Sequence, residues 1–260
     1  MILAKKSLGQ NYLIDKNIIK KILSLTELRN QNIIEIGPGQ GALTEEIIKL
    51  KPKSFSIIEK DNLLAENLKN KFANIKNVKV YNNDILNFNL EKICKMNTTI
   101  IGNLPYNISS QILVKIIKFK KWPPKFSNLV LMFQKELGEK IIGKYPSSKY
   151  GRLSIITNLR LNFIKKFLVS SNCFFPKPKV TSMVIHFKTK KKYHNNIKRI
   201  SNLEKITGIF FSNKRKMINK SLKKILSEDK IKKIHNLNIN SRPADLKPEI
   251  YYKITELYEG

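Results

Sequence analysis

Ile33-Ile-Glu-Ile-Gly-Pro-Gly-Gln-Gly-Ala-Leu43 reads as a strand, a glycine turn and the first turn of a helix. Glycines at 37, 39 and 41 let the backbone turn tightly and approach a ligand where a Cβ would clash. The bland alternative is a turn that only closes a strand–helix corner. The spacing is Gly-x-Gly-x-Gly, not the dinucleotide Gly-x-Gly-x-x-Gly, which disfavours a NAD-dependent dehydrogenase. No Lys followed by Ser or Thr comes after it, so it is not a P-loop.

Outward from this turn, short β-branched runs alternate with helical patterns. Ser54–Ile58, Val78–Tyr81, Thr98–Ile101 and Ser127–Phe133 read as strands, and Leu43–Leu50, Asn62–Phe72 and Ser109–Phe119 carry helix-spaced apolar residues. The alternation predicts βαβ units in a doubly wound α/β domain, with a parallel sheet covered on both faces. One more strand, Val180–Phe187, follows the turn Phe175-Pro-Lys-Pro178. After Lys188 the strands stop. Leu203, Ile206, Phe210, Met217, Ile218, Leu222 and Ile225 form a helical stripe, and a last helix starts near Pro248 with Ile250, Ile254 and Leu257 on one face. A boundary in Lys190–Asn196 divides the chain into a larger domain, 1–189, and a small helical one, 190–260.

Composition narrows the partners. The 260 residues hold 50 Lys and Arg against 19 Asp and Glu, a net charge of +31, and 42% of them are hydrophobic. That is too apolar for a disordered basic tail. No apolar run approaches the about 20 residues of a membrane span, and the first residues lack the apolar core of a signal peptide. Cys94 and Cys173 imply neither a disulfide framework nor a zinc site, and His186, His194 and His235 are scattered, so no metal is expected. A soluble, cytoplasmic, monomeric protein is expected. Its pI near 10.1 points to a polyanion, nucleic acid being the usual one. Only six of the 50 cations are Arg, and the bland alternative for part of the excess is codon bias in an AT-rich genome. Residues 187–233 nevertheless hold 16 Lys and Arg against three acids, a net +13, interleaved with the helical pattern. Clustering on a folded element favours a binding face.

The strand ends carry the chemistry. Glu59 ends the strand after the glycine turn, where a doubly wound sheet places the carboxylate that accepts ribose hydroxyls. Asp84 ends the next strand, placed to accept from an adenine amino group. A lone acid at a strand end is usually a solvated turn residue; two at successive ends describe an adenosine pocket. After the fourth strand comes Gly102-Asn-Leu-Pro-Tyr-Asn-Ile-Ser109. There the Asn103 side chain and the Leu104 carbonyl can accept from an exocyclic amine, Pro105 shapes the turn, and Tyr106 offers a face for a base. The constellation suits methylation of an amino nitrogen. On its own the segment is a Pro-containing turn with a buried Tyr.

At these residues the chain resembles the KsgA/RsmA family of small-subunit (16S) ribosomal RNA adenine dimethyltransferases over nearly its whole length. Ser7–Leu13, Glu35–Gly39, Glu59, Asp84, Asn103–Ser109, Tyr150–Ser154 and Phe174–Ser182 resemble that family's successive motifs; Lys214–Leu222 and Ser241–Asp245 resemble its helical-domain blocks. Departures are Tyr12 for the usual Phe, Gln40 in the glycine loop, and few arginines. The resemblance implies a Rossmann-like class I methyltransferase fold and S-adenosyl-L-methionine as cofactor. It implies Asn11, Leu13, Gly37, Glu59, Asp84 and Asn103 as cofactor contacts, and Phe174 as a second stacking face beside Tyr106. It further implies dimethylation of N6 on two adjacent adenosines in a hairpin loop near the rRNA 3′ end, during ribosome biogenesis on a precursor particle. Lys214, Arg215, Lys216 and Lys220 are the expected RNA contacts; neutralising about six phosphates would cost about 10³-fold in affinity between 50 and 200 mM salt. The competing readings are an Erm-type large-subunit rRNA methyltransferase, a catalytically idle RNA-binding assembly factor, and a DNA adenine methyltransferase. The N-terminal motif, Tyr150–Ser154 and the helical blocks lean away from the first, the intact pocket residues from the second, and the C-terminal segment from the third.

Overall fold

A computed structural model of the chain describes residues 9–191 and 196–260. Ser7 and Leu8 of the N-terminal motif, the leading residues through Lys6, most of the expected Lys190–Asn196 linker, and His194 lie outside the described residues. The described strands are β1 (Tyr12–Leu13), β2 (Asn32–Ile36), β3 (Ser54–Glu59), β4 (Val78–Asn82), β5 (Thr98–Asn103), β6 (Phe126–Gln134), β7 (Leu161–Val169), β8 (Phe174–Phe175) and β9 (Ser182–Thr189). The helices are α1 (Lys16–Leu23), α2 (Ala42–Lys49), α3 (Asn62–Lys71), α4 (Leu90–Ile93), α5 (Ser109–Ile117), α6 (Lys135–Ile141), α7 (Arg152–Arg160), α8 (Ile200–Ser212), α9 (Asn219–Lys223), α10 (Glu228–Lys232) and α11 (Pro248–Glu259).

Seven strands form one sheet in the order β4-β3-β2-β5-β6-β9-β7. The chain winds outward from β2 through β3 to β4, then returns to the other side of β2 with β5. That reversal opens a crevice at the carboxyl ends of β2 and β5, where open α/β sheets bind ligands. Ile33, Ile34 and Ile36 of β2 are all buried, as expected for a strand covered on both faces. The expected doubly wound α/β sheet is present, but it is not wholly parallel. The first five strands in the order run parallel, whereas β9 pairs antiparallel with β6, Ser182 opposite Gln134 and Lys188 opposite Asn128. Between β6 and β9 the chain runs through α6, α7, β7 and β8, so β9 is not the next strand of a βαβ unit. Strand β7 escapes a pattern reading because most of it is exposed, Phe163, Ile164 and Leu168 included.

The chain divides into two compact units, and the division corrects the expected 1–189 domain. One unit holds the described residues through Gly138 with Asn162–Thr189; the other holds Glu139–Leu161 with the described residues from Lys190 to Gly260. Segment 139–161 joins the second unit through tyrosine hydroxyls. Tyr150 Oη donates to the Leu246 carbonyl at 2.8 Å, and Tyr252 Oη donates to the Ile155 carbonyl at 3.0 Å. Leu203, Ile206, Phe210, Ile218 and Leu222 of the anticipated stripe are buried here. Met217 is 55% exposed because the chain leaves the helix after Ser212 and turns before α9. On α11 the buried face centres on Tyr251, Tyr252, Ile254 and Thr255, not on Ile250 and Leu257. The hydroxyl of Tyr251 donates to the Pro243 carbonyl at 2.6 Å, which removes the cost of burying it.

Candidate active site

The β2–α2 turn brings the first strand end into the crevice. Gly37, Gly39 and Gly41 all have positive φ, between 59° and 89°. At Gly39 the requirement is doubled: the backbone is left-handed, and a Cβ would stand 2.7 Å from Cδ1 of Tyr12. The Tyr12 ring therefore packs on the turn itself, and its hydroxyl donates to Gln10 Oε1 at 2.7 Å. Burial, with Asp61 and Glu59 nearby, pushes the Tyr12 hydroxyl up to about 12, so it stays protonated.

Glu59, at the end of β3, is only 7% exposed. Its Oε2 accepts from the Gly39 N–H at 3.2 Å and its Oε1 from the Asp61 N–H at 2.8 Å. The carboxylate thus ties the glycine turn to the start of α3, which Asp61 caps by accepting from the Leu63 and Leu64 N–H groups. Burial raises the Glu59 pKa; the backbone donors oppose the rise. Beyond β4, Asp84 accepts from the Leu86 N–H at 2.9 Å and pairs with Lys60 Nζ at 2.9 Å. The Lys60 ammonium holds its carboxyl below the usual range, so it remains an acceptor throughout neutral pH.

At the end of β5 the amide of Asn103 is oriented by a distant segment: its Nδ2 donates to the Asn11 carbonyl at 2.9 Å. With the NH₂ end engaged, the oxygen end is the acceptor left to a substrate. Three residues on, the Tyr106 hydroxyl lies 2.5 Å from Ser182 Oγ, at the start of β9, and Ser182 is completely buried. Ser109 Oγ donates to the Tyr106 carbonyl at 3.1 Å and closes the turn onto α5.

One cavity of about 420 Å³ gathers these groups. It is lined by the expected cofactor contacts Asn11, Leu13, Gly37, Glu59 and Asp84, and by Asn103, Leu104, Pro105 and Tyr106 of the expected catalytic turn. Its size lies within the range of small-molecule and cofactor sites. Phe174, the expected second stacking face, is 3% exposed and belongs to the core cluster with Leu13 and Ile19. Successive residues of a strand point to opposite sides, and here it is Phe175 that faces solvent. His186 lies within β9, sharing a 2.9 Å hydrogen bond with Asn128 Oδ1, away from the cavity lining. In the second unit Lys214, Arg215 and Lys216 are exposed in the turn after α8, and Lys220 is exposed on α9.

Four residues of the site region are given no role by the sequence. Lys60 and Tyr12 line the cavity, Ser182 holds Tyr106, and Glu35 lies fully buried beneath the glycine turn. Thr44 Oγ1 donates to Glu35 Oε2 at 2.7 Å while Oε1 is buried without a partner, and burial pushes the carboxyl up to about 8. A glutamate inside the apolar run Ile33–Ile36 is the one signal of it in the sequence.

Known proteins resemble this chain in sequence and in fold. A family model described as "Ribosomal RNA adenine dimethylase" matches residues 1–259. A protein named ribosomal RNA small subunit methyltransferase A, from Pelagibacter ubique (strain HTCC1062), is 42% identical over 257 residues, covering 98% of this chain and 97% of the relative. Among solved structures, a dimethyladenosine transferase from Plasmodium falciparum superposes with a TM-score of 0.74 at 24% identity, covering 93% of this chain and 95% of that one. The 23S rRNA methyltransferase ErmE gives 0.66 at 23% identity, covering 96% and 100%. The two structural likenesses show the fold.

Proposed function

We propose that this chain, which belongs to the ribosomal RNA adenine dimethylase family, transfers methyl groups from S-adenosyl-L-methionine to N6 of two adjacent adenosines in a hairpin loop near the 3′ end of small-subunit rRNA. The observation that carries the reading is the Asn103 amide, oriented by Asn11 inside the same cavity as Glu59 and Asp84. The 42% identity over 98% of the chain to a small-subunit methyltransferase favours that substrate over the large-subunit one.

The residues present fit the cofactor. Glu59 offers carboxylate oxygens, prealigned by Gly39 and Asp61, to the ribose hydroxyls, and Asp84 offers an ionised acceptor to an adenine amino group. S-adenosyl-L-methionine, when bound, supplies the sulfonium-activated methyl group. The adenosine to be modified must leave its stack, at a cost of a few kcal/mol, and Tyr106 offers a face that offsets it. Adenine N6 is a poor nucleophile because its lone pair is delocalised into the ring, and its proton is too weakly acidic for a side-chain base to remove first. The Asn103 side-chain oxygen and the Leu104 carbonyl accept the N6 hydrogens and turn the lone pair toward the methyl carbon. As the N–C bond forms and the S–C bond breaks, N6 becomes cationic, so both acceptors strengthen in the transition state. The surplus proton then leaves to water. No histidine is required.

The exposed cations Lys214, Arg215, Lys216 and Lys220 supply phosphate contacts in this reading, the substrate being a ribosomal precursor particle and the enzyme a cytoplasmic monomer. Among the described residues no helix is long and apolar enough to cross a membrane. The test is incubation of precursor particles with labelled cofactor, followed by nucleotide mapping. Dimethyladenosine at two adjacent small-subunit positions is expected; label confined to large-subunit rRNA, or monomethyladenosine alone, would overturn it.

A further inference from the structure

Phe175 is 55% exposed, and the register of the β1–β8 ribbon shows where it faces. Tyr12 lies opposite Phe175, and Leu13 opposite Phe174. Paired residues of an antiparallel ribbon project to the same side, so Leu13 and Phe174 enter the core together while Phe175 shares the side of Tyr12. Tyr12 lines the cavity, as does Ile14, which is 57% exposed. An apolar rim therefore runs from the cavity wall to an exposed aromatic ring. Two and four residues beyond that ring, Lys177 and Lys179 are exposed, in a segment stiffened by Pro176 and Pro178.

We infer that Phe175 is a stacking platform for an unpaired RNA base flanking the adenosine delivered to Asn103, with Lys177 and Lys179 neutralising the adjoining phosphates. The inference rests on the proposed function and extends its substrate site beyond the cavity. An aromatic face beside cations is how proteins hold single-stranded nucleic acid, since every base has a π face and every linkage a charge. Charge selects this occupant over an apolar protein surface: Asn162–Thr189 contains five lysines and no acidic residue.

The experiment uses the full chain and an RNA hairpin whose loop carries two adjacent adenosines, with 2-aminopurine at the flanking loop positions. Wild type should quench the reporter on binding. Phe175→Ala should abolish the quench and weaken RNA binding by about 5- to 150-fold, the scale for losing one stacked base, while cofactor affinity, measured by equilibrium dialysis, stays as in wild type. Phe175→Trp should restore both quench and affinity, whereas Phe175→Leu, apolar but without a π face, should restore neither. Replacing Lys177 and Lys179 by Gln should flatten the salt dependence of log K by about 1 for each phosphate no longer neutralised. Wild-type RNA affinity in either F175A or F175L overturns the platform, as it would if the ridge served a protein partner. The two readings separate cleanly. A wild-type chain that leaves rRNA unmethylated, yet loses the quench in F175A, breaks the proposed function and keeps the platform. Normal methylation with a fully binding F175A does the reverse.

Discussion

The two sides of the cavity are built over different sequence distances. Glu59 reaches back 20 residues to the Gly39 N–H and forward two to the Asp61 N–H. At the catalytic turn the partners are remote: Asn103 is held by Asn11, 92 residues away, and Tyr106 by Ser182, 76 residues away. The carboxylate side is thus oriented by neighbouring loops of one parallel sheet. The base side needs the N-terminal segment and the antiparallel β9 to be in place before its acceptors point correctly. Holding an acceptor from outside its own loop fixes its direction before substrate arrives, which is what preorganised stabilisation of a developing charge demands.

The largest test of that difference is Asn103→Ala. Single-turnover methyl transfer should fall by about 10²–10³, the scale for removing one preorganised transition-state group. RNA affinity, measured in the same variant, should be unchanged. Near-normal turnover would remove the base side from the chemistry.

A smaller effect is expected where a residue acts through another. Ser182→Ala should lower the single-turnover rate by about 5- to 10-fold, the equivalent of one neutral hydrogen bond of about 1 kcal/mol. Tyr106→Phe, which keeps the ring and loses the hydroxyl, should match it, and the double variant should be no slower than either single one. Cofactor affinity is the control. Additive losses would mean that Ser182 supports the fold of β9 and not the orientation of Tyr106.

On the carboxylate side the smallest signal is one of pH. The Glu35 carboxyl is raised from about 4.5 unfolded to about 8 folded by burial. Between those values the folded chain holds the extra proton, so stability falls as pH rises through that window. The difference in Tm between Glu35→Gln and wild type should therefore move in the variant's favour from pH 5 to pH 8, by a few degrees, in thermal scans without cofactor. A pH-independent difference would show that Glu35 is not ionising against its burial.

Much of the fold and of the site is legible in the residues themselves. The strands β2 to β6 lie within two residues of the short runs rich in β-branched and aromatic residues that announce them, and in β2 burial on both faces keeps the run nearly all apolar. Glu59, Asp84 and Asn103–Tyr106 follow from strand ends. Strand β7 stays hidden because its exposed Phe163, Ile164 and Leu168 obey no alternation. The buried face of α11 escapes the apolar pattern because tyrosines count as half-polar until their hydroxyls find carbonyls, as Tyr251 finds Pro243.

The sequence alone sets the order of strands and helices, the glycine turn, the acids at strand ends and the basic character of the last third. Those properties depend on residues within a few positions of each other, where periodicity and turn geometry operate. Tertiary packing settles which of Phe174 and Phe175 faces solvent, which carbonyl orients Asn103, and that residues 139–161 belong with the C-terminal helices. In each case the deciding partner lies tens of residues away. A strand's register, which sends one side chain inward and the next outward, is set by that partner and not by the strand's own residues.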